Sequence, residues 1–286
     1  MIPSIGVFLL KFKHMVIAFS IIIVFILLII TFLPSVIASP EAANNFRYII
    51  LSLIFFITTI LVCLIVYFIL NYRLFSLLER EDWPALAYYL EQKIYVKGRY
   101  DARKVRLLAS SYMVISDYNS VLKLESKAML IKPSVVEKNV LIFGPARVLG
   151  GNYPEAAAFF KTYLEKGGLN ANEKEWVRWF YGFSNLLGGD FTKAEPDFSF
   201  LAQFSGDTVI TGLSAYFLFN NLAKYSLKPD ACKAAAEKGR ERVVMTVKSA
   251  AHWNKEVEKV ETEIHTAVIR KYINEAGIWL FKKNLE

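Results

Sequence analysis

The sequence has few of the side chains that build disulfides, metal sites and catalytic centres. Its 286 residues include two cysteines and three histidines. Cys63 lies in an apolar run and Cys232 in a charged helical stretch, so we expect neither a disulfide nor a cysteine-based metal site. His14, His252 and His265 have no partner at ligand spacing, and surface histidines without a catalytic role are the simplest interpretation.

Phosphate-binding loops are also missing. The glycine pairs at 150–151, 167–168 and 188–189 are not followed by the Lys-Ser/Thr of such a loop, and we interpret them as turns between helices. The net charge of +8 is spread along the chain and is not gathered into one basic run, as nucleic-acid binding would require. We therefore predict a protein that is not an enzyme, that has no metal or other cofactor, and that does not bind nucleic acid.

Charge is nearly absent from the first quarter of the chain. The charged side chains among residues 1–70 are Lys11, Lys13, Glu41 and Arg47. Subtracting three basic and one acidic side chain from the totals of 34 and 26 leaves 31 and 25 for the rest, which is an ordinary charged globular sequence. The apolar runs 15–33 and 48–70 are each long enough, as helices, to cross a hydrocarbon core of about 30 Å. We predict an N-terminal tail (1–14) and two transmembrane helices joined by a short loop (34–47).

The first apolar run has a second interpretation. Basic residues before it, and Pro34 with small residues after it, are also features of a cleavable signal peptide. The run is longer than the roughly 7–15 residues usual for such a peptide, which favours a retained span. Four basic residues flank the two spans outside the loop and only Arg47 lies within it, so both termini are placed in the cytoplasm. This predicts a multi-pass protein of the bacterial inner membrane with a cytoplasmic C-terminal domain.

One short turn pattern recurs beyond residue 70. The strings are Glu81-Asp82-Trp83, Ser116-Asp117-Tyr118, Gly151-Asn152-Tyr153 and Gly189-Asp190-Phe191. Successive strings are 35, 35 and 38 residues apart, and helical apolar periodicity flanks each of them. Seven residues before three of the turns stand Ala109, Gly144 and Gly182, and three residues after their aromatics stand Val121, Ala156 and Ala194. Small residues at helix crossings let two helices approach, and Phe160 and Phe198 then fill the space between neighbouring pairs.

This unit resembles the tetratricopeptide repeat, a helix–turn–helix of about 34 residues, over residues 102–206. The tryptophan near the start of the consensus unit is missing, and Pro145 inside a first helix predicts a kink or a late start there. The resemblance implies an all-α fold in which a two-helix transmembrane hairpin is followed by a tetratricopeptide-like α-solenoid (81–206) and by C-terminal helices (207–286) that cap it. If the first string is a repeat turn, the second span continues through 71–80 as the first helix of the array; the alternative is an ordinary amphipathic juxtamembrane helix.

The resemblance also implies a partner site, since the first helices of tetratricopeptide arrays line a concave face that binds a segment of another protein. The matching positions are Arg103, Arg106, Ser110, Lys138, Leu141, Trp176, Trp179 and Phe183. Basic residues at one end and aromatic residues at the other would suit an acidic peptide that contains apolar residues. The alternative is that the aromatic side chains pack against the next helix pair as core. The asparagines that clamp a carboxylate in chaperone-binding members are missing here, which disfavours that ligand.

We therefore predict a membrane-anchored scaffold or adaptor whose partners are the lipid bilayer and proteins bound by the concave repeat face. The layout also resembles the membrane proteins of the flagellar collar of spirochaetes, which are structural subunits of a large cell-envelope machine; in that case the domain would be periplasmic. A basic stretch from Lys93 to Arg106 is a second candidate surface, for anionic headgroups. Its alternative interpretation is an ordinary solvated face.

Overall fold

The computed structural model describes residues 21–25, 40–261 and 263–282, and every regular element among them is helical. The all-α prediction is therefore confirmed for these residues. The first predicted span lies outside the described residues apart from 21–25, which are helical. The chain divides into two compact units, and the boundary lies between Tyr89 and Leu90.

The first unit is built around one long helix, α1, which covers Pro40–Glu79 without a break. Its proline occupies the first helical position, where a missing N–H leaves no hydrogen bond unmade. The predicted loop at 34–47 is corrected from residue 40 onward, because Glu41-Ala42-Ala43 are good helix formers and no breaker separates them from the apolar run. At the other end the helix continues through residues 71–79, as the sequence predicted.

Within α1, the segment Leu51–Glu79 is the one helix in the described part of the chain that is long and apolar enough to cross a membrane. It has 29 residues, and no residue in its most apolar window of 18 is buried. Large apolar side chains such as Phe55, Ile69 and Leu70 are well exposed along it. No described residue of the first unit hides this window of the helix from solvent.

The chain then continues through short helices. α2 (Trp83–Glu91) passes into a π-helical turn at Gln92–Val96. The helices that follow are α3 (Ala102–Val114), α4 (Tyr118–Ile131), α5 (Pro133–Glu137), α6 (Val140–Leu149), α7 (Tyr153–Lys166), α8 (Ala171–Leu187), α9 (Phe191–Phe204), α10 (Thr208–Asn220) and α11 (Pro229–Val247). The C-terminal segment consists of α12 (Ala250–Val260), α13 (Ile264–Val268) and α14 (Arg270–Phe281).

Helices in the second unit pack in a regular order. α3 contacts α4, α6 contacts α7, α8 contacts α9, and α10 contacts α11. Each second helix also contacts the first helix of the next pair, and the first helices contact one another from α3 to α6, α8 and α10. This is the order expected of stacked helix–turn–helix units. The assignment to the tetratricopeptide family stays a prediction.

The four strings found in the sequence share one turn geometry. Glu81, Ser116, Gly151 and Gly189 all have positive φ, between 54° and 80°. In each turn this residue donates its N–H to the carbonyl three residues earlier, and the next N–H donates to the carbonyl five residues earlier. These two bonds form the Schellman motif that closes a helix. The aspartates at 82, 117 and 190 then accept the N–H three residues further on and so cap the following helix.

Ser116→Gly is expected to stabilise the protein, because serine has a Cβ that disfavours the left-handed conformation it adopts here (φ 60°). We expect the free energy of unfolding to rise by about 0.5–1 kcal/mol, measured by urea denaturation of the full chain in detergent. Gly189→Ala should lower it by about 1 kcal/mol. Gly206→Ala is the control, since a Cβ there meets open space and φ is not positive. Equal effects at 189 and 206 would contradict the turn geometry.

Pro145 shortens its helix, as the sequence predicted. α6 has 10 residues, compared with 13 in α3 and 17 in α8. The extra helix α5 precedes it, and Asn139 before α6 is buried and donates to the carbonyl of Val135 over 2.8 Å. The separate short helix α5 thus takes the place of the first turns of a regular repeat helix.

The C-terminal segment differs from the predicted cap. α12 and α14 do pack on the last pair, α10 and α11, but α13 reaches back to α6. Apolar residues recur at helical spacing from Trp253 to Val268, a pattern that predicts one amphipathic helix from Trp253 to the end of the sequence. That prediction is wrong, since the helix breaks after Val260 and again at Ile269. The hydroxyl of Thr266 donates to the carbonyls of Val260 (2.6 Å) and Glu263 (2.7 Å) at the first break, which offers the backbone an alternative to a continuous helix.

Candidate functional site

The predicted partner site lies on the first helices, and the C-terminal segment covers a large part of it. We call the side of α6, α8 and α10 that meets this segment the first-helix face. Contacts of α13 with α6 and of α14 with α10 define its extent. All of its components belong to the second unit. The structure therefore places a part of the same chain where the sequence predicted a partner.

The aromatic end of the predicted groove is closed. Trp176, Trp179 and Phe183 are exposed by only 2%, 0% and 3%. The ring of His265 lies 4.9 Å from that of Trp176, and the ring of Tyr272 lies 5.4 Å from that of Phe183. The prediction of an exposed aromatic surface is thus corrected, and the alternative interpretation, core packing, is the one that the structure shows.

At the basic end of the predicted groove some side chains are exposed to solvent, and others take part in the packing of the fold. Arg103 and Lys138 are exposed, whereas Ser110 and Leu141 are half-buried. Arg106 donates from Nε to Oδ1 of Asn139 and from a terminal nitrogen to the carbonyl of Lys138, both over 3.0 Å. The guanidinium of Arg106 therefore holds the connection between α5 and α6, and its hydrogen bonds serve the fold.

The indole of Trp253 joins the C-terminal segment to the array. A Cβ added at Gly212 in α10 would lie 2.7 Å from this ring, and one added at Gly277 in α14 would lie 2.6 Å from it. The ring is buried between the two helices and occupies the space that a side chain would need at either glycine. Sequence reasoning assigned Trp253 only to an apolar stripe. The signal that it missed is the isolated glycine inside each helix, which often marks a close approach.

Hydrogen bonds hold α14 to α10 and α11. The hydroxyl of Tyr216 donates to the carboxylate of Glu275 over 2.9 Å, and burial raises the pKa of Tyr216 to about 12. Arg240 donates to the carbonyls of Leu280 (3.2 Å) and Lys282 (3.0 Å). A cation on the last carbonyls of a helix satisfies groups that the helix itself leaves unpaired. α14 is therefore held at its middle and at its C-terminal end.

His265, interpreted from the sequence as a surface histidine, is instead buried among aromatic rings. It contacts Trp176 and Phe180, and its Nε2 has no hydrogen-bond partner among the described residues. Burial lowers the pKa of His265 to about 3, and the positive charge of Arg106 acts in the same direction. The folded protein therefore excludes a proton that the unfolded chain binds.

Because of this pKa, His265 is expected to reduce stability in acid. Between about pH 6.5 and pH 3 the unfolded chain binds a proton at this site and the folded chain does not, so stability falls as pH falls. We expect His265→Phe to be close to neutral at pH 7 and to gain on the wild type by about 1.4 kcal/mol per pH unit below pH 6.5, measured by denaturant unfolding. Asp197, whose pKa burial raises to about 6, has the opposite linkage but is common to both proteins and cancels in the difference.

His252→Gln serves as the control for this prediction. His252 is exposed on α12, and its replacement should leave the wild-type pH dependence unchanged. Parallel curves for His265→Phe and the wild type would mean that the imidazole is protonated in the folded state.

A buried ion pair that the sequence did not reveal links the second helix of one pair to the next pair. The guanidinium of Arg147 in α6 binds both carboxylate oxygens of Glu125 in α4, at 2.5 and 2.9 Å, and lies 4.3 Å from the centre of the Phe159 ring. Both side chains are largely buried, so removing either one would leave an unpaired charge in the interior. In the described part of the chain, no group of three or more His, Cys, Asp or Glu is placed to hold a metal ion.

Together these features define an all-helical protein with a long apolar helix and a stack of helix pairs whose first-helix face is filled by the C-terminal segment. Residues 120–282 match a family described as "Uncharacterised Treponema protein". The match covers more than half of the chain, and the chain belongs to this family. It includes α5 to α14 in full and therefore both sides of the covered face.

A relative from Treponema pallidum (strain Nichols), described as "Uncharacterized protein", is 27% identical over 239 residues. The alignment covers 80% of this chain and 75% of that protein. The spirochaete link that the layout suggested is supported by these similarities.

Proposed function

We propose that the protein is a membrane-anchored scaffold in which α1 crosses the bilayer and the helix pairs of the second unit present a fixed surface to other proteins of a membrane complex. The observation that carries the proposal is the apolar segment Leu51–Glu79, none of whose most apolar window is buried. Soluble monomers rarely expose contiguous apolar patches larger than a few hundred Å². In the hydrocarbon core of a bilayer these apolar side chains are no longer exposed to water, and the helix pairs its backbone groups internally.

A structural role fits the covered first-helix face better than the exchange of peptide ligands. A tetratricopeptide-like groove that binds a partner has to be open, whereas here Trp176 and Phe183 contact the chain's own His265 and Tyr272. This observation, with the similarity to Treponema proteins, favours the second candidate function: a structural subunit of a large cell-envelope machine such as the flagellar collar, with a periplasmic second unit.

Thiol accessibility tests the anchor. Cys63 lies in α1 and Cys232 is buried in the second unit. In membranes opened to both sides, a membrane-impermeant maleimide should leave Cys63 unmodified, and it should modify a cysteine placed at the exposed Tyr88. Equal labelling at 63 and 88 would contradict a lipid-embedded α1.

Two further measurements separate the candidate functions. Met245→Cys, an exposed position in α11, should react with the same reagent from one side of sealed vesicles only. Labelling from the periplasmic side favours the envelope machine, and labelling from the cytoplasmic side favours the adaptor. Cross-linking in intact cells, followed by mass spectrometry, should recover partner peptides attached to the second unit. The scaffold proposal fails if the chain cross-links only to lipid or to itself.

A further inference from the structure

The end of α4 carries an exposed apolar tip. Met129, Leu130 and Ile131 are exposed by 40%, 87% and 60%. Outside α1, this is the one run of three consecutive exposed large apolar residues in the part of the chain whose side-chain exposure the structure describes. The helix ends there, and the next residues, Lys132 and Pro133, are exposed as well. The tip therefore projects apolar side chains that no described part of the protein covers.

Basic side chains surround this tip. Lys123 and Lys127 are exposed and stand seven and three residues before Leu130, so the three share one face of α4. The ammonium of Lys127 lies 4.1 Å from the centre of the Tyr95 ring, which brings the segment after α2 beside α4. Exposed residues in that segment extend the same character, namely Val96, Lys97 and Arg99.

Acidic side chains near this surface are already engaged. Glu125 forms its bidentate pair with Arg147, and Glu91 accepts the hydroxyl of Tyr112. Glu137 is paired with Lys166, and Asp101 accepts two backbone N–H groups at the start of α3. Two of these four carboxylates are neutralised by ion pairs, and none of the four is paired with Lys123 or Lys127, so the surface combines positive charge with protruding apolar side chains.

We propose that the α4 tip and its lysines bind the surface of an anionic lipid bilayer. Protein hot spots sit in well-packed, enclosed pockets, whereas the depression beside this tip, which Lys123 and Lys127 help to line, is wide open to solvent. A bilayer interface requires no complementary shape: apolar side chains enter the acyl boundary and lysines remain at anionic headgroups. The inference rests on the proposed anchorage by α1. A chain anchored in this way has a bilayer surface at high effective concentration near its second unit.

Site-specific fluorescence tests this proposal on the full chain. The variant Cys63→Ala, Leu130→Cys, labelled with a polarity-sensitive nitrobenzoxadiazole probe, is placed in nanodiscs of phosphatidylcholine or of phosphatidylcholine with phosphatidylglycerol. We expect blue-shifted emission, and several-fold stronger quenching by doxyl-labelled lipid, in the anionic discs only. Leu227→Cys, exposed by 90% outside this surface, is the matched control and should not respond to lipid composition.

Charge reversal at Lys123 and Lys127 (K123E, K127E) should abolish the response at position 130, and so should high salt. Identical emission in both kinds of disc, or an equal response at 227, would overturn the proposal. A blue shift without doxyl quenching would also overturn it, because it places the tip against protein. Failure of the anchor itself is distinguishable, since the chain would then be missing from the discs of phosphatidylcholine alone.

Discussion

Gly144→Ala is expected to destabilise the second unit by about 3 kcal/mol, the upper end of the usual range for an overpacked core. A Cβ on Gly144 would lie 2.2 Å from two atoms of the Phe160 ring. That ring is fully buried and stacks on Phe180 at 5.6 Å between centroids, so it has nowhere to move. In a helix interior alanine is otherwise better than glycine by about 1 kcal/mol, which makes a loss diagnostic of the close approach.

Gly182→Ala is the matched control for this result. Gly182 stands at the same position, seven residues before its turn, but an added Cβ would meet Asp197 and Phe198 at 3.5 Å, an ordinary contact. We expect it to be neutral or slightly stabilising in the same urea titration. The double variant Gly144→Ala, Phe160→Leu should recover part of the loss. Equal effects at 144 and 182 would contradict the packing described for α6 and α7.

Trp253→Ala is expected to have the second large effect, because it empties the space between Gly212 and Gly277. Truncation of a buried tryptophan lowers the free energy of unfolding by about 3–5 kcal/mol, and glycines on both sides leave little to fill the cavity. The loss should be concentrated in the C-terminal segment. In hydrogen-exchange mass spectrometry we expect faster exchange in α13 and α14 than in α3 and α4.

Met245→Ala provides the comparison for this variant. Met245 is an exposed apolar residue of the neighbouring helix α11, so its removal should change neither stability nor exchange. Uniform acceleration over the whole second unit in Trp253→Ala would show that the C-terminal segment does not open separately. Unchanged exchange would show that the indole does not hold it.

The turns could be predicted from the sequence because their determinants are local. In Gly189-Asp190-Phe191, a glycine supplies positive φ, an aspartate caps the next helix, and an aromatic residue starts that helix. At Glu81 and Ser116 a non-glycine residue has the positive φ, and the string was recognised by the aspartate and the aromatic residue that follow. Such information is contained in three adjacent residues and needs no knowledge of the rest of the fold.

The covering of the first-helix face could not be predicted in the same way. It depends on contacts such as that between Trp176 and His265, which are far apart in the chain and have no local signature. The pattern at Trp176, Trp179 and Phe183 is the same whether a partner or the chain itself covers it. Only Gly212 and Gly277, isolated glycines within helices, indicated that a bulky group approaches closely.

A closed face changes what the proposed scaffold offers to a partner. The C-terminal segment is held by Trp253, by the bond from Tyr216 to Glu275, and by Arg240 on the last carbonyls of α14. A partner that used the first helices would have to displace all of these contacts. We therefore expect partner contacts on the outer surfaces of the second helices, in keeping with a fixed structural subunit.

Hydroxyl-radical footprinting of the full chain in nanodiscs tests the closed first-helix face most directly. Trp176 and Phe183 are covered by His265 and Tyr272, whereas Tyr225 is well exposed in the same unit. We expect rapid oxidation at Tyr225 and almost none at Trp176 or Phe183 until the protein is denatured. Oxidation of Trp176 and Phe183 at rates similar to that of Tyr225 in the native protein would show that the face is open, and would contradict its occupation by the C-terminal segment.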